Sequence, residues 1–166
     1  MMIDQRNAGA ATANTINSYT LDRWQGQNSQ TSKYTVQQNA NSVTPPTGFT
    51  SYIGAQSQSS YSVGSSDYFF LQQWIEGYNI ADLNWGTSVA APVTLSFWVY
   101  SSVAGTHGGG LRNGNNDHSY PFSYSINTAN TWQYQTITIP GDTGGSWFSN
   151  NNTGLQVLFN LGTVAT

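Results

Sequence analysis

Apolar and small polar positions alternate strictly along the second half of the chain, which is the period of a strand with one buried face. In PVTLSFWVYS, Val93, Leu95, Phe97 and Val99 share one face, and Thr94, Ser96, Trp98 and Tyr100 share the other. SYPFSYSIN sets Tyr120, Phe122, Tyr124 and Ile126 against Ser119, Pro121, Ser123 and Ser125. TWQYQTITIP sets Gln133, Gln135, Ile137 and Ile139 against Trp132, Tyr134, Thr136 and Thr138, and LQVLFNLG aligns Leu155, Val157, Phe159 and Leu161. These segments predict antiparallel strands. YTLDRWQ, SKYTVQQ, FTSYIGAQ and DYFFLQQWIE read as further strands in the first half.

Between them, HGGGLRNGNNDH, NTAN, PGDTGG and NNNTG are rich in Gly, Asn and Asp, which tolerate the positive φ that tight turns demand. About eight or nine short strands joined this way predict an all-β fold, a jelly-roll-like antiparallel β-sandwich. One stretch, WIEGYNIADLNWG, breaks the rhythm. Asn79 is placed to cap a helical turn, Asp82 follows three residues on, Ile80 and Leu83 share a face, and Gly86 ends it. The expectation is one short helical turn near residues 79–84. At 166 residues, with no internal repeat and no charged or Pro-rich linker, residues 1–166 read as a single β-sandwich domain.

Charge narrows the classes of function. Asp, Glu, Lys and Arg are 7% of the chain, against about 25% in an ordinary globular protein. Ser, Thr, Asn and Gln together number 69 of 166 residues, so the expected surface is one of amides and hydroxyls. Six Trp, ten Tyr and seven Phe argue against a disordered chain. With four basic residues and a net charge of -3, phosphate-rich partners have nothing to bind, so neither nucleic acid nor an anionic membrane surface is expected. No apolar run approaches the roughly 20 residues a membrane-spanning helix needs. The start, MMIDQRNAGA, has neither the basic nor the apolar segment of a signal peptide. There is no cysteine.

Enzyme readings find little to work with. Glycoside hydrolysis needs two carboxyl groups about 5 to 9.5 Å apart, and Glu76, the only Glu, has Asp82 as its nearest candidate partner. Asp82 is better explained as the first-turn acid of a helical turn and Glu76 as a strand-end polar group. No catalytic residue is therefore expected. His107, Asp117 and His118 flank the Gly-rich segment without metal-ligand spacing, and a solvated loop is the expectation there. No cofactor is expected, although a structural Ca²⁺ held by loop oxygens stays open.

The strongest signal is aromatic residues interleaved with amides. A ring offers an apolar face to the C–H face of a sugar, and an amide can bond paired hydroxyls. The candidate saccharide contacts are Trp74, Trp98, Tyr100, Trp132 and Trp147, with Asn113 and Asn116 as amides. The competing reading has these rings filling the core or a subunit interface. Strand edges guarded by little charge, Lys33 being the one guard, also invite pairing with another chain.

MMIDQRNAGA, YTLDRWQ, LQQWIEGYNIADLNWGT, VTLSFWVYSS, SYPFSYSINTANTWQYQTITIPGD and GLQVLFNLG resemble, in that order, a domain of tailed-bacteriophage virion proteins found in tail-fibre and capsid-associated chains. The resemblance spans nearly the whole sequence. It implies a carbohydrate-binding-module-like β-sandwich on the virion, in a capsid fibre or decoration or in a tail fibre. Its partners would be other virion subunits, a homo-oligomer (a trimer foremost) and host saccharide. The relatives carry residues before the IDQR segment and a further last strand, so the expectation is a piece of a longer chain or a final strand supplied by a neighbour. Two other readings stand beside this one: a carbohydrate-binding module of a polysaccharide-active enzyme, and a hydrolase working through Glu76.

Overall fold

The structure is a computed structural model and describes residues 2–13 and 17–163. The chain is all-β and antiparallel, as the alternation predicts. Its strands are β1 (Thr12–Ala13), β2 (Ser18–Leu21), β3 (Trp24–Asn28), β4 (Tyr34–Gln38), β5 (Ile53–Ser57), β6 (Tyr68–Glu76), β7 (Val93–Val99), β8 (Gly105–Asn113), β9 (Ser119–Ile126), β10 (Gln133–Ile139) and β11 (Thr153–Thr163). They form two compact units, Met1–Gln73 with Phe159–Thr166, and Trp74–Leu158.

In the first unit, sheet β1-β4-β5 faces strands β2-β3-β6. Leu21, Tyr34, Val36, Phe69 and Leu71 fill the space between them, with Trp24, Ile53 and Val63 at the margin. Tyr34 meets Phe69 edge-on, ring centroids 6.3 Å apart, a geometry the ring quadrupoles favour. YTLDRWQ is two strands, not one. Arg23 adopts φ 68 and turns the chain, so that Leu21 pairs back on Trp24 as a hairpin. Amides are also buried here: Gln72 Nε2 donates to Gln25 Oε1 at 2.8 Å, which satisfies two polar groups that would be costly to bury alone.

The second unit sets the ribbon β7–β10 over the strands β11-β8-β9. Phe97 of β7 packs edge-on against Tyr124 of β9 at 5.1 Å, and Phe122, Ile126 and Ile139 are buried around them. The segment HGGG, read as turn, is strand: β8 runs through it, and the hairpin turns later, after Asn113. The reason is steric. A Cβ on Gly109 would lie 2.5 Å from the Phe122 ring and would collide with the Leu158 carbonyl, so only glycine lets β8 pass beneath that ring.

WIEGYNIADLNWG is a corner, but it differs from the single capped turn expected. Two 3-10 turns, Gly77–Asn79 and Ala81–Leu83, flank Ile80, which stands at φ -127 outside helical geometry. Neither turn has a side-chain cap. Backbone bonds hold the corner instead, from Gly77 N–H to Asn152 O (2.8 Å) and Tyr78 N–H to Asn150 O (3.0 Å). Trp85 is buried and donates its indole N–H to Ala91 O at 2.7 Å. Gly86, at φ +86, releases the chain towards β7. A further 3-10 turn spans Ala40–Ser42.

Candidate functional site

The two faces of the β7–β10 ribbon differ sharply. Its register pairs Trp98 with Tyr134, Ser96 with Thr136 and Thr94 with Thr138, and these side chains point away from β9. Trp98 and Tyr134 keep 40% and 56% of their surface exposed. Their rings stand 5.4 Å apart and tilted by 52°. One row further along, Tyr100 and Trp132 repeat the arrangement, again at 5.4 Å and 52°. The Tyr100 hydroxyl donates to Asn130 Oδ1 at 3.3 Å, which ties that row to the β9–β10 connection. Four rings therefore lie on one face as two successive pairs, followed along the ribbon by two rows of threonine and serine hydroxyls.

Three predicted contacts, Trp98, Tyr100 and Trp132, thus come together on one surface. Tyr134 was not singled out from the sequence, although its alternation already put it on the face of Trp132. The other predicted contacts lie elsewhere. Trp74 is exposed near the end of β6. Trp147 packs edge-on against buried Trp85, ring centroids 4.6 Å apart, and donates its indole N–H to Asp142. Asn113 is fully buried. Its amide N–H₂ donates to Asp117 Oδ1 and Ser146 O, and its oxygen accepts from the backbone N–H of Asp117 and of His118. Asn116 accepts from Gln156 Nε2 at 2.8 Å. Asn113 is thus buried within the β8–β9 turn, whereas Asn116 keeps an exposed side chain beside its bond to Gln156.

His107 stacks on Tyr124 at 5.8 Å, whereas His118 Nδ1 meets Asp142 Oδ2 at 2.8 Å. Among the described residues no group of three or more His, Asp or Glu converges. His118 and Asp142 line a cleft of about 280 Å³ with Trp85, Tyr120 and Trp147. An imidazole held through Nδ1 by a carboxylate presents Nε2 for proton transfer, and this is the arrangement in the second unit most suited to acid–base chemistry. Glu76 and Asp82, the pair weighed from the sequence, are separated by the first 3-10 turn and Ile80.

Partial burial raises the pKa of Asp142, but hydrogen bonds from Gly144 N–H, His118 and Trp147 outweigh it and leave the carboxyl below its usual range. In the first unit Asp67 is held well below that range by Ser29 Oγ, then Tyr61 Oη and Gly64 N–H. A carboxyl with a depressed folded pKa stabilises the fold above its unfolded value of about 4 and loses that contribution as pH falls through the folded value. Urea midpoints are therefore expected to fall from about pH 4 downward. Asp142→Asn should start lower at neutral pH and fall less steeply below about pH 4. Parallel acid limbs for the two proteins would contradict this assignment.

No protein-family profile and no curated protein sequence matches the chain. Among solved structures, the fold is similar to part of tailspike protein 4 of bacteriophage CBA120, in the crystal structure of its enzymatically active domain. The TM-score is 0.52 at 13% identity, over 86% of this chain and 17% of that one. The chain therefore spans about a sixth of the length of its structural neighbour. The likeness is one of fold, and it agrees with the phage resemblance carried by the sequence motifs. It also corrects the expectation of a domain with no catalytic role, because the neighbour is described as enzymatically active.

Proposed function

We propose that the chain is a domain of a phage tail protein, on the virion, that holds host-surface glycan on the outward face of the β7–β10 ribbon. One observation carries this reading: exposed Trp98 and Tyr134 on the paired strands, and half-buried Tyr100 and Trp132 just past the strand ends, line one face bordered by hydroxyls. Aromatic rings at a surface are apolar area that water solvates poorly, and a sugar's C–H face covers them while its hydroxyls bond the rim. The likeness to a tailspike supports the tail setting. A tailspike with an enzymatically active domain is a virion part and an enzyme at once, so the contrast between virion domain and enzyme module no longer separates the readings.

The test is retention of the purified chain on a panel of immobilised bacterial surface polysaccharides, read together with tryptophan emission. At least one polymer should retain it with a dissociation constant in the micromolar to millimolar range. Emission should shift to the blue as Trp98 and Trp132 leave water. A chain retained by none of them, with unchanged emission, would overturn the proposal.

A further inference from the structure

The geometry points to the class of glycan: we infer that the ribbon takes a single extended strand of uncharged sugars, lying along β7 and β10 from the ring pairs onto the hydroxyl rows. This rests on the glycan reading above and narrows it. The first argument is charge. Thr94, Ser96, Trp98, Tyr100, Trp132, Tyr134, Thr136 and Thr138 line the face, and none of them is an Asp, Glu, Lys, Arg or His. Of the chain's four Lys and Arg residues, Arg112 alone lies in the second unit, and its guanidinium donates to Gln156 Oε1 at 2.8 Å. A uronate or sialate would lose water here without gaining a cation, a cost that a neutral sugar does not meet.

The second argument is shape. Rows of one face of an antiparallel ribbon repeat every ~6.8 Å, so the four rows from Tyr100/Trp132 to Thr94/Thr138 span roughly 20 Å. Both ring pairs are tilted by 52° rather than coplanar, and two-stranded ribbons twist strongly. Such a surface is a row of shallow cradles that one flexible chain can follow. The flat face of a crystalline polysaccharide would touch only part of it. Two ring rows followed by two hydroxyl rows also give the site a polarity, with stacking at one end and hydrogen bonding at the other.

A second copy of the chain fits the face less well. From the usual size of aromatic side chains, four partly exposed rings offer on the order of 300 Å², against ~800 Å² per partner in a standard protein interface. The rows beyond them are polar.

The experiment titrates the full chain with soluble neutral oligosaccharides of increasing length, with uronate-containing ones of matched length, and with an insoluble crystalline polysaccharide. Neutral ligands should bind at least tenfold more tightly than uronates, with affinity rising up to about four sugar units and then levelling off. The double variant Ser96→Lys, Thr136→Lys should narrow or reverse that preference. Equal binding of uronates by the unmodified chain, or tighter binding of the crystalline polymer, would overturn the inferred class while leaving the glycan reading standing. Binding of no saccharide would remove both. A concentration-dependent dimer abolished by Trp98→Ala would assign the face to a second copy instead.

Discussion

Replacing Trp98 with alanine is expected to weaken glycan binding by roughly 30-fold, because truncating an anchoring tryptophan costs about 2 kcal/mol or more and each 1.4 kcal/mol is tenfold. Trp98 is the right residue to remove for two reasons. It forms half of the ring pair with Tyr134, and its indole keeps 40% of its surface exposed on the strip. Little of the fold depends on it, since the packing of β7 runs through Phe97 on the opposite face. The unfolding midpoint should therefore move little while binding falls. Trp74→Ala is the control: an indole equally exposed, but on β6 and away from the ribbon, whose loss should leave affinity within about twofold. Isothermal titration of the three proteins decides the matter. Equal losses for Trp74→Ala and Trp98→Ala would mean that exposure, and not membership of the strip, governs binding.

The largest structural effect is expected at Gly109. Alanine there puts a methyl 2.5 Å from the Phe122 ring, with the Leu158 backbone carbonyl closing the other side. A ring can rotate away, but a strand carbonyl cannot move without disturbing its ladder, so the cost should be about 3 kcal/mol. For a chain of this length that lowers the melting temperature by roughly 6 to 12 °C. The neighbouring glycines supply the contrast. At Gly108 and Gly110 a Cβ would meet only a carbonyl oxygen at 3.5 and 3.6 Å, which is ordinary contact. Gly108→Ala and Gly110→Ala should be neutral or slightly stabilising, since alanine has less freedom to lose on folding. Thermal denaturation of the three variants should separate one from two. If all three melt together, the close approach beneath Phe122 is not what holds glycine at position 109.

The strands of the second unit were legible because their alternation is strict. VTLSFWV and QYQTITI became β7 and β10, and the face carrying Trp98, Tyr100, Trp132 and Tyr134 can be read directly from that period. The sequence does not say which rings lie opposite one another. Trp98 meets Tyr134 because of the cross-strand register, and register depends on where the β9–β10 connection ends. Composition misled in two places. Three consecutive glycines read as a turn, whereas in β8 the middle one, Gly109, makes room for a ring supplied by another strand. Amides read as surface, yet Gln25, Gln72, Asn113 and Gln156 are buried, because each finds polar partners that alternation does not encode. The same hidden pairing explains Asn113 and Asn116. As an exposed loop amide Asn113 would suit a sugar, but buried and bonded to Asp117 and Ser146 it holds the turn that carries His118, while Asn116, still exposed, bonds Gln156. His118 and Asp142 stand twenty-four residues apart in sequence, so no local motif announces their contact.

The six indole N–H groups offer the most direct test of the central claim, since the ribbon face and the His118–Asp142 cleft hold different pairs of them. In a ¹⁵N-labelled chain titrated with a neutral oligosaccharide, the Trp98 and Trp132 indole resonances should move together and saturate. Those of Trp24, Trp74, Trp85 and Trp147 should stay in place. Shifts confined to Trp85 and Trp147, which line the His118–Asp142 cleft, would put the glycan there and contradict the assignment of the ribbon face.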